Sequence, residues 1–515
     1  MARLSRHRGV PARQPAGRHR RPGPGRRIAQ PDEPGVLSTV FGKAYCSGTS
    51  WADIGGHGTR VTGLAAGNGD TYPIGTQDFK GAYFYWGMGL APGAAVYAQR
   101  IWSGGGLCPS TVATWAQDAV TEKAARGFHS VVQNHSYNDY ATTPACVQTA
   151  NGVYTTKSQE YDFAVRNTGL PITVSAGNTC QYGVAGCGRP CPSMVLPPAT
   201  AKNVVSVGAS ESYRPGMAPP CDHATTSRQA EDYWAFSLKR VAYVSRRGTT
   251  DGRIKPDLVA PATMVSSTIR NDVFQPACKK PNPALAPNQN ENGFYSLDTG
   301  TSYAAPQAAG AIAVVNAYGA AAALPALSPA AAKAVLVGSS VSLKGGIDDF
   351  TGAAVAARPN AVQGFGRLNL DKATVNFPRQ GVLDEAVWTS FTGAGQTRSR
   401  TFTIDDPSKP AIVILAWTDE PAAAQATTTL VRDLNLEVRM PGNCTIYVGN
   451  KLSSTTEYSL PGASCGAKQP PDTKNNVEMV VIPPNSGTSF TLHVTVATWG
   501  GTVSQKFAVF HQNAY

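Results

Sequence analysis

Three short segments contain residue types that together could catalyse acyl transfer. His57 lies in the sequence GHGT at 56–59, an arrangement that can present an imidazole at the end of a loop. Ser302 would open a helix of small residues whose first N–H groups point outward. Asn178 ends the sequence SAGN after an apolar strand, where its amide could donate to a developing oxyanion. Nucleophile, general base and oxyanion donor are the parts that serine hydrolysis needs.

Each segment also has an ordinary structural interpretation. A single histidine is usually structural, Gly-Asn is a common turn signal, and a serine at a helix start is usually an N-cap. The Ser302 segment, GTSYA at 300–304, is not a nucleophile elbow because it lacks the final Gly of GxSxG. Only the combination of the three segments favours catalysis over loop and cap roles.

Together and in this order, the segments resemble the motifs of the subtilisin-like serine peptidases (family S8). GHGTRVTG at 56–63 is similar to the family's HGTHVAG, GTSYAAP at 300–306 to GTSxAxP, and SAGN to its oxyanion loop. DGRIKPDLVAP at 251–261 resembles a further stretch of the catalytic domain, and VRDLNL at 431–436 resembles the C-terminal β-domain of KP-43-type alkaline proteases. The resemblance covers residues 40–515.

The resemblance implies a serine endopeptidase that hydrolyses polypeptides. Ser302 would be the acylating nucleophile and His57 its general base and later acid. The Asn178 side chain and the Ser302 N–H would form the oxyanion hole. The resemblance also implies a substrate-binding cleft, and its residues would be Ser136, Tyr137, Ser175, Ala176 and Gly177.

The family resemblance requires no cofactor for the chemistry but allows structural calcium. Calcium is held by loop carboxylates and carbonyls, and Asp419 and Asp433 are candidate ligands in the β-domain. The alternative is that both are acids that form turns. No EF-hand spacing is present, so the sequence assigns no ligand set.

The motifs depart from the family pattern at three positions. Arg60 replaces the second His of HGTH and Thr62 replaces an Ala, and both changes look tolerable. Asn138 stands where the family has the Gly that ends a substrate-pairing strand. That substitution leaves the geometry of the subsite open.

The family's catalytic aspartate is missing upstream of His57. An Asp-Thr/Ser-Gly motif should fix the His tautomer and stabilise the imidazolium, and none precedes His57. Asp53 is interpreted as a loop or subsite residue, and Asp32 is not on a credible strand. The chain as written is therefore expected to be poorly active or poorly folded, and a catalytically impaired subtilisin-like protein is the alternative function.

Residues 1–34 differ in composition from the rest of the chain. They contain nine Arg against two acids, which is +7 of the total net charge of +12. One back-translation of residues 17–24, read one nucleotide later, gives Ala-Val-Thr-Asp-Gly-Leu-Asp-Leu, which resembles the family's Asp strand. The segment is expected to be disordered or an out-of-frame reading. It lacks the interleaved aromatic residues of nucleic-acid binders, so no nucleic-acid partner is predicted.

Hydrophobic patterning predicts an α/β domain followed by an antiparallel β-domain. Residues 35–373 alternate short strands with Ala-rich helices, as in a parallel sheet flanked by helices, while 374–398 reads as a linker. Residues 399–515 alternate with period two, which predicts a jelly-roll-like β-sandwich. The predicted strands are Ser130–Gln133, Pro171–Ser175 and Asn203–Val207, and the predicted helices are Ala113–Arg126, Ser302–Ala317 and Ser328–Val337.

The cysteines and the apolar segments bear on the compartment. Ten scattered Cys without a metal-binding spacing favour disulfides in an oxidising environment, including a Cys444–Cys465 pair, with buried free thiols as the alternative. The sequence has no uninterrupted run of 18 or more apolar residues, so no membrane span is predicted. Residues 1–34 have no apolar signal-peptide core, so either the chain is cytosolic or its true beginning is absent. We expect a secreted monomer.

Overall fold

The computed structural model describes most of the chain from Val40 onward. The segment predicted to be disordered or out of frame, 1–34, lies outside the described residues, as do six of the ten cysteines. The described ranges are 40–46, 50–53, 55–70, 86–103, 106–126, 130–139, 151–179, 193–213, 237–268, 295–374, 380–385, 387–442, 444–501 and 503–515.

Strands and helices alternate in the first part of the structure. The bounds are β1 (Val40–Ala44), α1 (His57–Ala66), β2 (Asn68–Asp70), β3 (Trp86–Met88), β4 (Val96–Arg100), α2 (Val112–Arg126), β5 (Gln133–His135), α3 (Thr156–Thr168), β6 (Ile172–Ser175), β7 (Val205–Ser210), β8 (Arg240–Val241), β9 (Leu258–Pro261), β10 (Val265–Thr268), β11 (Tyr295–Asp298), α4 (Thr301–Ala321), α5 (Pro329–Ser339), β12 (Ile347–Asp348) and α6 (Leu370–Thr374).

The central sheet brings the ends of its parallel strands to one edge. Its order is β12-β8-β7-β6-β5, and β9 also pairs with β7; the β5–β6, β6–β7 and β7–β9 pairs are parallel. Loops that leave the carboxyl ends of such strands are where α/β proteins place their sites. β1 and β4 form a separate two-stranded parallel sheet.

The predicted helices correspond to α2, α4 and α5. Helix α5 has the predicted start: the Ser328 hydroxyl accepts the Ala331 N–H at 3.1 Å, and Pro329 occupies the first helical position. The predicted strand Ser130–Gln133 begins three residues too early and ends two residues too early, since β5 covers Gln133–His135. Ser130 to Val132 precede the ladder, in which Gln133 is the first residue paired with β6. A run of apolar residues indicates a strand that packs in the interior, but it does not show where the hydrogen-bonded pairing of that strand begins or ends.

The second part of the structure is antiparallel. Its strands form the sheets β13-β23-β16-β20 and β15-β21-β17-β18-β19, and a short pair, β14–β22. The bounds are β13 (Gln380–Asp384), β14 (Ser390–Phe391), β15 (Thr397–Thr403), β16 (Ala411–Ala416), β17 (Asp433–Arg439), β18 (Ile446–Leu452), β19 (Ser459–Pro461), β20 (Val477–Ile482), β21 (Ser489–Thr498), β22 (Gln505–Lys506) and β23 (Ala508–Gln512).

The period-two pattern corresponds to buried faces of these sheets. Leu434, Leu436 and Val438 on β17 are buried in one cluster with residues of β21 and with Val413 and Val480 of the other sheet. The antiparallel arrangement is confirmed. The domain boundaries stay predictions. Strand β13 lies inside the range interpreted as a linker, and it pairs along its whole length with β23.

Two disulfides join described cysteines. Cys444 bonds to Cys465, as predicted, and Cys46 bonds to Cys108 near β1 and β4. The other six cysteines lie outside the described residues. Among the residues that the structure describes, no helix is long and apolar enough to cross a bilayer.

A buried ion pair joins the α/β part to the β-domain. The Lys202 ammonium contacts the Asp419 carboxylate, and both side chains are fully buried. Lys202 also donates to the carbonyl oxygens of Glu420 and Thr429, and Asp419 accepts the N–H groups of Val431 and Arg432. Both charged groups are therefore hydrogen-bonded, as a buried charge requires.

Lys202→Met should destabilise the protein strongly, because it leaves the Asp419 carboxylate buried without its cation. We expect a loss of about 3–5 kcal/mol in the free energy of unfolding, measured by urea denaturation. The control is Lys43→Met, which breaks the exposed Lys43–Asp118 pair and should cost about 0–1 kcal/mol. Equal losses in the two variants would contradict this account of the interface.

Candidate active site

The loop before helix α1 is organised around Asp53. Its carboxylate accepts the N–H groups of Gly55 (3.1 Å), Gly56 (3.0 Å) and Thr59 (2.7 Å), and the Thr59 hydroxyl at 2.8 Å. The bond from Thr59 satisfies an N–H group of the first helical turn, which has no acceptor within the helix, and the bonds from Gly55 and Gly56 hold the turn before it. Asp53 thereby holds the turn at which His57 begins α1.

Helices α1 and α4 cross at very short range. A Cβ at Gly310 would lie 2.8 Å from the carbonyl oxygen of Ala65 and 2.9 Å from the Leu90 Cβ, so only glycine fits there. The Ala65 carbonyl in turn accepts the Ala91 N–H at 2.8 Å. This contact fixes the helix that carries His57 against the helix that carries Ser302.

Ser302 lies in the first turn of α4, next to the segment that follows β5. The Ser302 hydroxyl donates to the Ser136 carbonyl oxygen at 3.3 Å, and the Ser136 hydroxyl donates to the Ser302 carbonyl oxygen at 2.7 Å. The Ser302 N–H belongs to the N–H groups that have no acceptor within the helix. Hydroxyl and N–H are thus placed at the carboxyl edge of the parallel sheet.

Asn178 meets the same helical turn from the end of β6. Its side-chain oxygen accepts the Thr301 N–H at 2.9 Å and the Thr301 hydroxyl at 2.8 Å. Its amide nitrogen would lie 3.2 Å from a Cβ at Gly300, where φ is 154°. Glycine at 300 therefore permits the close approach of the Asn178 amide to the start of α4.

His57 reaches this turn from the other side. Its ring centroid lies 6.0 Å from that of Tyr303, the residue after Ser302. The structure therefore brings His57, Ser302 and Asn178 together around the first turn of α4. Among the described residues, no hydrogen bond joins His57 to Ser302 or to a carboxylate.

The surroundings of His57 lower the pKa of its ring. One side of the side chain is open to solvent, and desolvation by the packed protein on the other side is the main cause of the shift. The charge of Arg60 lowers the pKa further, whereas the carboxylates of Asp53 and Asp298 raise it. At neutral pH the imidazole is therefore neutral, the form that accepts a proton.

An ion pair links α1 to the strand that precedes Ser302. The Arg60 guanidinium contacts the Asp298 carboxylate at 2.7 Å, and the Tyr303 hydroxyl donates to the same carboxylate oxygen at 2.6 Å. The other Asp298 oxygen accepts the Thr299 N–H at 2.8 Å. Asp298 thus connects the turn that bears the predicted base with the turn that bears the predicted nucleophile.

The predicted substrate-binding residues have different surroundings. Ser136 contacts Ser302, and the Gly177 N–H donates to the Thr301 hydroxyl at 3.2 Å. The Tyr137 hydroxyl instead hydrogen-bonds His135 and Tyr161 in the interior. Ser175 is the last residue of the buried strand β6, and Ala176 follows the strand and is also buried.

Comparison with known proteins identifies the family. The subtilase family model (Peptidase_S8) matches residues 42–366. The chain belongs to the subtilase family. It is 26% identical over 321 residues to the serine protease/ABC transporter B family protein tagB of Dictyostelium discoideum, and the match covers 52% of this chain and 16% of that protein. It is also similar to the structure of the S41 psychrophilic protease, with a TM-score of 0.41 and 23% identity over 68% of this chain and 88% of that chain.

Sequence reasoning missed part of this subtilase site. Arg60 was interpreted only as a tolerable replacement, and neither Asp298 nor Tyr303 was singled out. Arg60 lies in α1, the helix that begins at His57, and Asp298 lies four positions before Ser302. Each residue is a weak signal by itself, because their pairing depends on how α1 packs against β11. The sequence also did not predict that His135 is buried, and burial lowers the pKa of its ring to about 3.

The candidate calcium ligands do not make a set in this subtilase. The Asp419 carboxylate is used by Lys202 and two N–H groups, which leaves it poorly suited to a cation. Asp433 has a buried oxygen without a partner, and burial raises the pKa of its carboxyl to about 6. Within the described ranges, no three His, Cys, Asp or Glu residues are grouped to hold a metal.

Gly310→Ala should push α1 away from α4 and so separate His57 from Ser302. Overpacking of this kind costs about 1–3 kcal/mol, and we expect a lower melting temperature and slower reaction of Ser302 with a fluorophosphonate. The matched control is Gly319→Ala in the same helix, where the new Cβ meets its nearest atom at 3.8 Å. It should leave the reaction unchanged and stabilise the helix by up to about 1 kcal/mol. The account fails if the two variants behave alike.

Proposed function

We propose that this subtilase is a secreted serine endopeptidase that cleaves polypeptides through a Ser302 acyl-enzyme. The observation that carries the proposal is the convergence of His57, Ser302 and Asn178 on the first turn of α4. The site lies at the carboxyl edge of a parallel sheet, where α/β proteins bind their ligands.

In the proposed mechanism, neutral His57 takes the Ser302 proton as the hydroxyl attacks the scissile carbonyl carbon. The Asn178 amide nitrogen and the Ser302 N–H donate to the oxygen as it becomes negative. His57 then gives its proton to the leaving amine, and the acyl-enzyme is hydrolysed by water in the reverse sequence. Apart from the substrate and the hydrolytic water, these steps use only groups of the chain itself.

The remaining parts of the proposal rest on features outside the site. Two disulfides support an oxidising, extracytoplasmic location. The C-terminal strands form two antiparallel sheets with a shared core, which supports a KP-43-type protease with a jelly-roll-like domain. We propose a monomer, and structural calcium stays a prediction without ligands.

A catalytically impaired subtilase is the second candidate. The observation that favours it is that, within the part of the chain that is described, no carboxylate hydrogen-bonds the His57 ring. In subtilisin, loss of the triad aspartate alone costs ~3 × 10⁴ in kcat. The two candidates differ in turnover, and both keep Ser302 next to the oxyanion donors.

A fluorophosphonate should form one adduct, on Ser302, located by peptide mass spectrometry. The adduct should be absent from Ser302→Ala, strongly slowed in His57→Ala, and slowed about 10²–10³-fold in Asn178→Ala, the loss known for an oxyanion donor of subtilisin. Ser408→Ala, in the β-domain, is the control and should label normally. An adduct on another serine, or none, would sink the endopeptidase proposal; an adduct without peptide turnover would favour the impaired protein.

The labelling rate should depend on pH through His57. Because the neutral imidazole is the base and its pKa is lowered, the acid limb should have its midpoint below pH 6.5. Asp298→Asn removes a negative charge that raises this pKa, so the midpoint should move to lower pH. The control is Asp406→Asn in the β-domain, which should not move it. A shift to higher pH in Asp298→Asn would contradict the electrostatic assignment.

A further inference from the structure

The side chain of Asn138 bridges two segments beside Ser302. Its amide nitrogen donates to the Ser175 carbonyl oxygen at 2.7 Å, and its oxygen accepts the Ser175 hydroxyl at 3.3 Å. Both ends of the amide are thus used on one residue of the neighbouring strand. The bridge runs from the segment that follows β5 to the end of β6.

The bridged gap opens next to the predicted nucleophile. β5 and β6 are parallel neighbours, with His135 paired to Val174, and the chain continues from them into segments 136–138 and 175–177. The first segment contacts Ser302 through two hydrogen bonds of Ser136. The second contacts Thr301 through the Gly177 N–H. Ser302 therefore faces the space between the two segments.

This space is where a bound peptide must put a side chain. For attack, the scissile carbonyl carbon must come within about 3–3.5 Å of the Ser302 hydroxyl, with its oxygen directed at the Asn178 amide and the Ser302 N–H. The side chain of the residue that supplies this carbonyl branches from its Cα, which is bonded directly to the carbonyl carbon. It then points away from α4, between segments 136–138 and 175–177.

We propose that Asn138 is a specificity-determining residue that closes this gap and restricts the residue on the acyl side of the cleaved bond to glycine, alanine or serine. The inference rests on the proposed endopeptidase function. A larger side chain would have to displace the Asn138 amide and leave the buried Ser175 carbonyl without its donor. An unsatisfied buried acceptor is unfavourable, and one excess methylene in a filled pocket reduces the reaction about 10–200-fold.

The neighbouring side chains keep the bridge in place. Tyr137 is turned into the interior, where its hydroxyl contacts His135 at 3.2 Å and also Tyr161. Asn134 holds the same strand from the other direction, donating to the Ser136 hydroxyl and accepting from the Thr173 hydroxyl, both at 3.0 Å. Segment 136–138 is therefore anchored on both sides of Ser136, and Asn138 cannot swing out without breaking its own two bonds.

The test compares two peptidyl aryl phosphonates that differ only in having Ala or Phe next to the phosphorus. Both react once with Ser302, so a weak general base slows both and cancels from the ratio of their rates. The full chain should strongly prefer the Ala probe, and Asn138→Gly should reduce that Ala-to-Phe preference roughly tenfold or more. Asn485→Gly, at an exposed β-domain position whose φ of 59° suits glycine, is the matched control and should keep the wild-type ratio.

The results distinguish a failure of the Asn138 inference from a failure of the proposed endopeptidase function. A simple alkyl fluorophosphonate, which has no peptide side chain, reports on the nucleophile in all three proteins and also shows that Asn138→Gly is folded. If it labels Ser302 but Asn138→Gly keeps the wild-type ratio, or the wild-type protein prefers the Phe probe, Asn138 does not limit specificity and the endopeptidase proposal stands. If nothing labels Ser302, the function fails and this inference fails with it.

Discussion

The close crossing of α1 and α4 is the constraint on which the rest of the site depends. Because Gly310 has no side chain, the two helices approach until the Ala65 carbonyl and Leu90 lie where a Cβ would otherwise be. The crossing joins the element that begins at His57 to the element that begins at Thr301. Both helices are formed largely of small residues, so their distance is set by backbone contact and not by flexible side chains.

The β-domain supports this arrangement through the outer helices. Helix α5 packs against β16 and β23, and a Cβ at Gly338 would clash with the Phe510 ring. Lys202 and Asp419 fix a second part of the interface with a buried ion pair. The β-domain is therefore packed into the α/β part by apolar contact and by fully bonded charges, and its sheets stabilise the helices that flank the central sheet.

Polar residues outside the predicted catalytic set surround the predicted nucleophile. Arg60, Asp298 and Tyr303 connect the turn of His57 with the turn of Ser302 through charge-assisted hydrogen bonds, which are stronger than neutral ones. Asn138 connects the two segments on the opposite side. The family motifs contain the groups proposed for the chemistry, and these further contacts hold the segments that carry them.

The sequence by itself determined features that depend on residues close along the chain. The Ser328 cap with Pro329, the alternation on β17 and β21, and the motifs around His57, Asn178 and Ser302 could all be predicted because local spacing controls caps, faces and turns. Tertiary structure alone decided that Arg60 pairs with Asp298, 238 residues away, that Lys202 pairs with Asp419, 217 away, and that Asn138 spans to Ser175. Partners so distant are selected by strand order and helix crossing, and a side chain's type does not specify which element will be packed against it.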